Sequence, residues 1–374
     1  MLASAHRRWY AVFALAVALA FSSALRAPFV FDDLAAIRQN VSIHQLLPLS
    51  VPLNPPRNTA VGGRPVVNLT FAINQAVNSA LGVEPAGDNA TLGFHLGNVL
   101  IHLACGLLLF GVIRRTMPHV PGAGELNAET IAGFTALLWL LHPIQTEAVD
   151  YAVQRTELLV SAFYLATIYA SIRAWDAAGS ARRWWLGTGV ALCALGMASK
   201  EVMVTAPVMV VLYDLAFRSD SWRTLSADRT RRWFYAALFA TTLIVAASIA
   251  LGARDRSVGF SLGVSWLDYA LTQCWAIAHY LRLIVWPVGL NFDYGDQPIT
   301  GLLWVPGAVL LAAKLGGTVL AWMKPRLRWL GFAGAWFLLL LVPSSSVIPI
   351  RTEIAAERRV YLASAAVILV VVVG

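Results

Sequence analysis

Apolar runs, each close to the length of a membrane-crossing helix, recur along this chain and are parted by short polar segments. A helix needs roughly 20 apolar residues to cross about 30 Å of hydrocarbon, and it is the form that satisfies its own backbone hydrogen bonds there. Such runs begin at Trp9, Phe94, Ile131, Thr156, Trp184, Val202, Trp233, Leu302, Leu330 and Tyr361. The short alternating segments of a β-barrel are not seen. Of the 374 residues, 58% are hydrophobic and 13% charged, against about 25% charged in soluble domains, and the mean hydropathy is +0.66. The expected fold is an all-α polytopic membrane protein, one transmembrane domain over residues 1–374 with about ten spans.

The net charge of +8 and pI near 9.7 suggest nucleic acid until the basic residues are placed. Fifteen of the 28 fall in five short segments between apolar runs, while 14 of the 20 acids fall on the opposite side. This is the positive-inside pattern, so the partner is a lipid bilayer and not nucleic acid. Residues 26–92 are then the first external loop, with Pro65–Ala80 expected as an amphipathic helix on the membrane surface. Residues 253–300 form a second external loop. Within it 267–286 carry Asp268, Gln273, His279 and Arg282 and are expected to lie along the surface or to re-enter without crossing, because a crossing there would put Lys324, Arg326 and Arg328 outside. Tyr361–Val373 is too short to cross alone, which reads as a truncated chain. The run after Arg7 and Arg8 reads as a retained span and not a signal peptide. Cys105, Cys193 and Cys274 have no paired or metal-like spacing and read as packing residues. Three lysines against 25 arginines, with abundant alanine, point to a bacterial inner membrane, or to the endoplasmic reticulum if the source is eukaryotic.

Polar motifs concentrate on the external side. Asp32 and Asp33 follow the first run directly; a carboxylate there can take a proton from a hydroxyl while its neighbour tunes or orients it, or the pair is a solvated stop. Two acids also begin a divalent-cation site, but without a third ligand no metal or other cofactor is assigned. His142 to Glu147, followed by Asp150 and by Arg155-Thr156-Glu157, place several ionisable groups in one short hairpin, either as a site or as an ion-pair cluster at the helix ends. Lys200 and Glu201 sit between two runs, the lysine as a point charge for phosphate or as half of a pair closing a turn. Arg351, Arg358 and Arg359, with Glu353 and Glu357, put cations where the positive-inside rule expects few. Asn291-Phe292-Asp293-Tyr294 reads as a turn.

Phe31-Asp32-Asp33, Gly63-Arg64-Pro65, Phe94-His95-Leu96 with Asn98 and His102, the His142 to Glu147 hairpin, Arg155-Thr156-Glu157, Ser199-Lys200-Glu201, Leu290 to Tyr294 and Glu357-Arg358-Arg359-Val360-Tyr361 together resemble the transmembrane and tetratricopeptide-repeat O-mannosyltransferases and their bacterial relatives, without the C-terminal repeats. The resemblance covers essentially the whole chain. It implies a GT-C-like helix bundle with interfacial helices on its external loops, and a polyprenyl-phosphate sugar as donor. It further implies catalysis by Asp32 or the Asp32-Asp33 pair, donor-phosphate contacts from Arg155, Lys200, Arg358 and Arg359, and site-shaping roles for His142, Glu147, Glu157, Glu201, Arg64 and His95. The expected function is transfer of a hexose, mannose by resemblance, to an acceptor hydroxyl on protein or glycan outside the cytoplasm. The competing classes are a transporter or flippase for a lipid-linked or anionic substrate, which would place its charges at mid-membrane, and an inactive scaffold.

Overall fold

The computed structural model describes residues 2–83, 90–122, 127–219, 221–251, 265–346, 349–350 and 353–374. Residues 84–89 of the first external loop, 252–264 of the second, and Arg351 lie outside the described residues. Fifteen α-helices follow in order: α1 Leu2–Ala20, α2 Pro65–Ala80, α3 Leu92–Thr116, α4 Ala128–Leu141, α5 Thr146–Asp150, α6 Arg155–Asp176, α7 Gly179–Met197, α8 Ala206–Phe217, α9 Trp222–Ala227, α10 Arg229–Ala240, α11 Thr242–Ala250, α12 Trp266–Val285, α13 Val305–Met323, α14 Arg328–Leu341 and α15 Ser364–Val373. The expected all-helical chain is observed among the described residues. Among the described residues four stretches are long and apolar enough to cross a membrane: Leu92–His119, Ala152–Asp176, Arg229–Ala250 and Val305–Met323. Ala128–Leu141 and Ser364–Val373 are apolar but shorter.

Two polar ends bracket the apolar bundle. At one end, arginines that follow the apolar runs meet acids: Asp176 holds Arg218 at 2.8 Å and Arg115 at 3.2 Å, and Asp214 holds Arg231 at 3.0 Å. At the other end the C-terminus of α1, the N-terminus of α3, the C-terminus of α4 and the N-terminus of α6 converge. There His95 Nε2 donates to the Ala27 carbonyl at 3.0 Å and an Arg155 Nη2–H to the Phe94 carbonyl at 2.8 Å. Between the ends, buried polar groups find internal partners, as burial requires. His102 donates from Nε2 to the Leu140 carbonyl at 3.0 Å, which leaves Nδ1 to accept from the Tyr361 hydroxyl at 2.7 Å.

Helix α12 is fastened at both of its ends to the site end of the bundle. Tyr269, near its start, donates to the Ser344 carbonyl just beyond α14, and Ile284, near its finish, accepts from His142 just beyond α4. Gln273 and Tyr280, between them, hold the Ile354 carbonyl and the Ala356 N–H. A helix of 20 residues is about 30 Å long, so these contacts lay α12 across the end of the bundle and not alongside it. Helix α13 passes under it at Gly307, where a Cβ would stand 2.1 Å from the Cys274 carbonyl oxygen, so only glycine fits that approach.

Candidate active site

The first wall of the site is the stretch after α1. After a 3₁₀ turn over Ala24–Arg26 the chain extends through Ala27 and reaches Phe31, whose φ of +44° lies in the left-handed region that bulky residues rarely enter. That turn separates the two acids. Asp33 is fully buried: Oδ1 accepts from the Val153 N–H at 2.7 Å and Oδ2 from the Val30 N–H at 3.1 Å. Burial lifts its pKa to about 6 against the lowering effect of these amides. Asp32 is exposed, and its own N–H donates to the Tyr151 hydroxyl at 2.9 Å. Asp33 therefore locks the loop, while Asp32 keeps a free carboxylate. A π-helical turn, Leu34–Arg38, follows directly.

The hairpin between α4 and α6, short by sequence, is filled by a 3₁₀ turn at Pro143–Gln145, helix α5 and a second 3₁₀ turn at Ala152–Gln154. His142 opens it, its Nδ1 accepting from the Ile144 N–H at 3.2 Å and its Nε2 donating to the Ile284 carbonyl at 2.8 Å, so it joins α12 to the hairpin. Helix α5 presents Glu147 and Asp150 to a cleft with about 910 Å³ of non-atom space, open solvent included. Val30 and Phe31 wall it from the first loop, Tyr151 from the hairpin, Leu290, Asn291 and Phe292 from the segment after α12, and Glu357 from the last loop. Glu357 is tied down by the Asn291 N–H at 2.6 Å and the Tyr294 hydroxyl at 2.7 Å. Asp150 differs. Its Oδ1 is buried with no hydrogen-bond partner, and burial alone raises its pKa to about 6.

The cations expected at the site are each held by acceptors, and none of them is in the cleft wall itself. Arg358 forms ion pairs with Glu147 and Glu353, and its N–H donates to Glu147 Oε2 at 2.8 Å. Arg359 donates to the Glu353 and Ile354 carbonyls at 2.8 and 3.2 Å, with Glu353 Oε2 at 3.8 Å. Lys200 pairs with Glu157, and Arg64 with Glu201 at 2.9 Å. The sequence neighbours Lys200 and Glu201 thus pair across the fold and not with each other. Arg155 has no acid among its partners: it donates to Asn98 Oδ1 at 2.9 Å, Asn74 Oδ1 at 2.8 Å, and the Phe94 and Thr70 carbonyls at 2.8 and 3.2 Å, with its guanidinium 4.5 Å from the Phe71 ring centre. Gly97 makes this possible, since a Cβ there would lie 2.7 Å from Arg155 Nη2.

The structure therefore puts Glu147 in the cleft wall, with Arg358 paired behind it and Asp32 and Asp33 directly following Phe31 of that wall, while His142 and Arg359 join this region to α12 and the last loop. Lys200, Glu157, Arg64 and Glu201 stand behind it, while Arg155 braces α2, α3 and α6, and His95 holds the first loop at Ala27. Sequence reasoning did not single out Asp150, Tyr151 or Phe292 as site residues. The hairpin's charge density pointed toward Asp150, but nothing in the sequence signalled that its Oδ1 would be buried without a partner. Among the described residues no three His, Cys, Asp or Glu side chains cluster as metal ligands.

Residues 86–251 match the family model described as dolichyl-phosphate-mannose-protein mannosyltransferase. Protein O-mannosyl-transferase Tmtc2 of Drosophila melanogaster is 28% identical over 302 residues, 76% of this chain and 30% of its own length. Tmtc1 of the same organism is 27% identical over 343 residues, 82% of this chain and 37% of its own, and TMTC2 of Mus musculus is 32% identical over 217 residues, 54% and 23%. The chain thus spans well under half the length of these curated relatives. No solved structure matches it. On these matches the chain is similar, over part of its length, to the TMTC-like protein O-mannosyl-transferases.

Proposed function

We propose that this chain acts as a GT-C-type glycosyltransferase in a membrane, moving a hexose, mannose by the names of its relatives, from a polyprenyl-phosphate sugar to a protein hydroxyl on the extracytoplasmic side. The observation that carries the reading is the cleft itself: its wall includes Phe31, directly before the exposed carboxylate of Asp32, whose N–H the lining residue Tyr151 holds, together with an unpartnered acid, Asp150, and Glu147, the ion-pair partner of Arg358. In this reading the bundle crosses the membrane about ten times, the arginine clusters mark the cytoplasmic end, and α12 lies in the outer interface. The arginine-rich composition favours a bacterial inner membrane.

The chemistry follows from the placement of the acids. Asp32 takes the proton of the acceptor hydroxyl; the freed oxygen bonds to the anomeric carbon as the carbon–oxygen bond to phosphate breaks, and polyprenyl phosphate leaves with the electron pair. That leaving group needs a cation. Arg358 is the one whose acid partner lines the cleft, and Lys200 adds positive potential behind it. Glu147, whose pKa burial raises despite Arg358, is the carboxyl that yields its place to the phosphate.

Purified protein in lipid nanodiscs, supplied with radiolabelled polyprenyl-phosphate mannose and a panel of extracytoplasmic protein acceptors, tests the reading. Label should reach protein, and Asp32→Asn should slow the transfer by about 10²- to 10⁴-fold. Donor that is neither bound nor consumed, with every acceptor tried, counts against it.

A further inference from the structure

Three aromatic rings meet at the cleft; Phe31 and Phe292 are exposed there, while Tyr151 is buried behind them. Phe31 is 64% exposed and Phe292 38%, yet the two stack at 5.2 Å between centroids with 25° between planes, and Tyr151 meets Phe292 at 5.0 Å. They come from the loop after α1, the segment after α12 and the hairpin, so only the folded chain assembles them. Phe31 holds this place at φ +44°, where a bulky side chain is an outlier. Strained backbone that persists at a cleft motivates a functional reading. A ring needed only for packing would be covered; this one faces the cavity.

From these observations we infer that Phe31 and Phe292, backed by the buried Tyr151, form the platform on which the transferred hexose ring rests. The inference builds on the proposed glycosyl transfer and names the groups that select the sugar. A pyranose has an apolar C–H face and a rim of hydroxyls, so its site needs a flat apolar surface opposed by acceptors. The cleft supplies both, with Glu147, Asp150 and Glu357 lining the same space as the rings. Aromatic planes offer that surface at little conformational cost, and a tyrosine adds a polar edge. The platform is also coupled to the proposed base. Phe31 directly precedes Asp32, and the Tyr151 hydroxyl holds the Asp32 N–H, so a ring seated on the aromatics places its anomeric carbon beside that carboxylate.

Binding of polyprenyl-phosphate mannose and of bare polyprenyl phosphate to the protein in nanodiscs separates sugar recognition from lipid recognition. Wild type should favour the sugar-bearing lipid by roughly tenfold, the size of one good aromatic contact. Phe292→Ala should bring the two affinities to within about twofold, chiefly by weakening the sugar-bearing ligand. Phe31→Gly is the sharper variant, because glycine accepts φ +44° and preserves the turn while removing the ring. It should keep the unfolding temperature and lose the sugar preference. If wild type discriminates and both variants still do, the platform is wrong while the transferase reading stands. Variants that lose the bare lipid as strongly as the sugar-bearing one, with unfolding temperatures unchanged, would assign the rings to the isoprenoid tail and overturn the inference. A wild type that binds and transfers no mannose instead removes the reading on which it rests.

Discussion

Tyr151 reaches from the hairpin to accept the backbone N–H of Asp32 at 2.9 Å, across 119 residues of sequence. With the buried bond from the Val153 N–H to Asp33, it makes the acidic loop and the hairpin a single unit. The position of the exposed carboxylate is thereby set by groups outside its own loop.

Removing that tether should loosen the base without unfolding the protein. Tyr151→Phe keeps the ring against Phe292 and deletes only the acceptor, whose net contribution is about 1 kcal/mol. Turnover should fall roughly tenfold with donor affinity little changed. Steady-state kinetics in nanodiscs reads both, and an unchanged turnover would reduce the contact to incidental packing.

How far the sequence reached differs from residue to residue. Helix positions and the gathering of polar motifs at one end follow from hydropathy and charge alone, because a bilayer dictates both. Pro65–Ala80 is a helix as its pattern predicts, and the residue directly before the Asp32-Asp33 pair, Phe31, lines the cleft. Ion-pair partners were not legible: Lys200 pairs with Glu157 on α6 and Glu201 with Arg64 directly before α2, partners far away in sequence. Arg155 looks like an anion ligand in sequence, yet its donors go to Asn74, Asn98 and two carbonyls that only the packing of α2 on α3 brings within reach. The different burial of two adjacent acids depends likewise on a distant amide, that of Val153.

Arg155 carries its own expectation. Arg155→Met removes the donors from four buried or half-buried acceptors and from the Phe71 face, so unfolding stability should drop by about 3–5 kcal/mol. Arg155→Lys, lacking the fork, should recover only part of it. Thermal unfolding in detergent measures this. A variant as stable as wild type, with donor binding lost, would return Arg155 to the phosphate site.

The unpartnered acid makes stability depend on pH. The pKa of Asp150 rises from 3.8 to about 6 on folding, so the folded chain holds this proton more tightly than the unfolded one does. The stabilisation is fully present below about pH 4 and is lost as pH rises through about 6. Asp150→Asn removes the cost of ionising it, so at pH 7 the variant should be more stable than wild type by on the order of 2 kcal/mol, the gap closing toward pH 4. Unfolding midpoints compared at pH 4 to 8 decide it; a pH-independent gap would mean that burial does not govern this carboxyl.

The proposed orientation separates the two ends of the bundle. Gln297 follows α12 and Ser180 opens α7, and both are exposed. Single cysteines at these positions should react with a membrane-impermeant reagent from opposite faces, Gln297 from outside. Labelling of both from one face would require α12 to cross.

The two aspartates should fail in different ways. Asp33 accepts two backbone N–H bonds through separate oxygens, and Asp33→Asn turns one oxygen into a donor facing a donor. That variant should lose about 1–3 kcal/mol of stability, with turnover falling as the loop loosens. Asp32 makes no such bonds, so Asp32→Asn should leave the unfolding temperature unchanged and lower turnover by about 10²- to 10⁴-fold through loss of the proton acceptor alone. Measured together, the pair distinguishes a base from its support: turnover lost at constant stability for Asp32, stability lost first for Asp33. An Asp32→Asn protein that turns over normally on a verified acceptor would move the base elsewhere in the cleft, with Asp150 the first residue to substitute next.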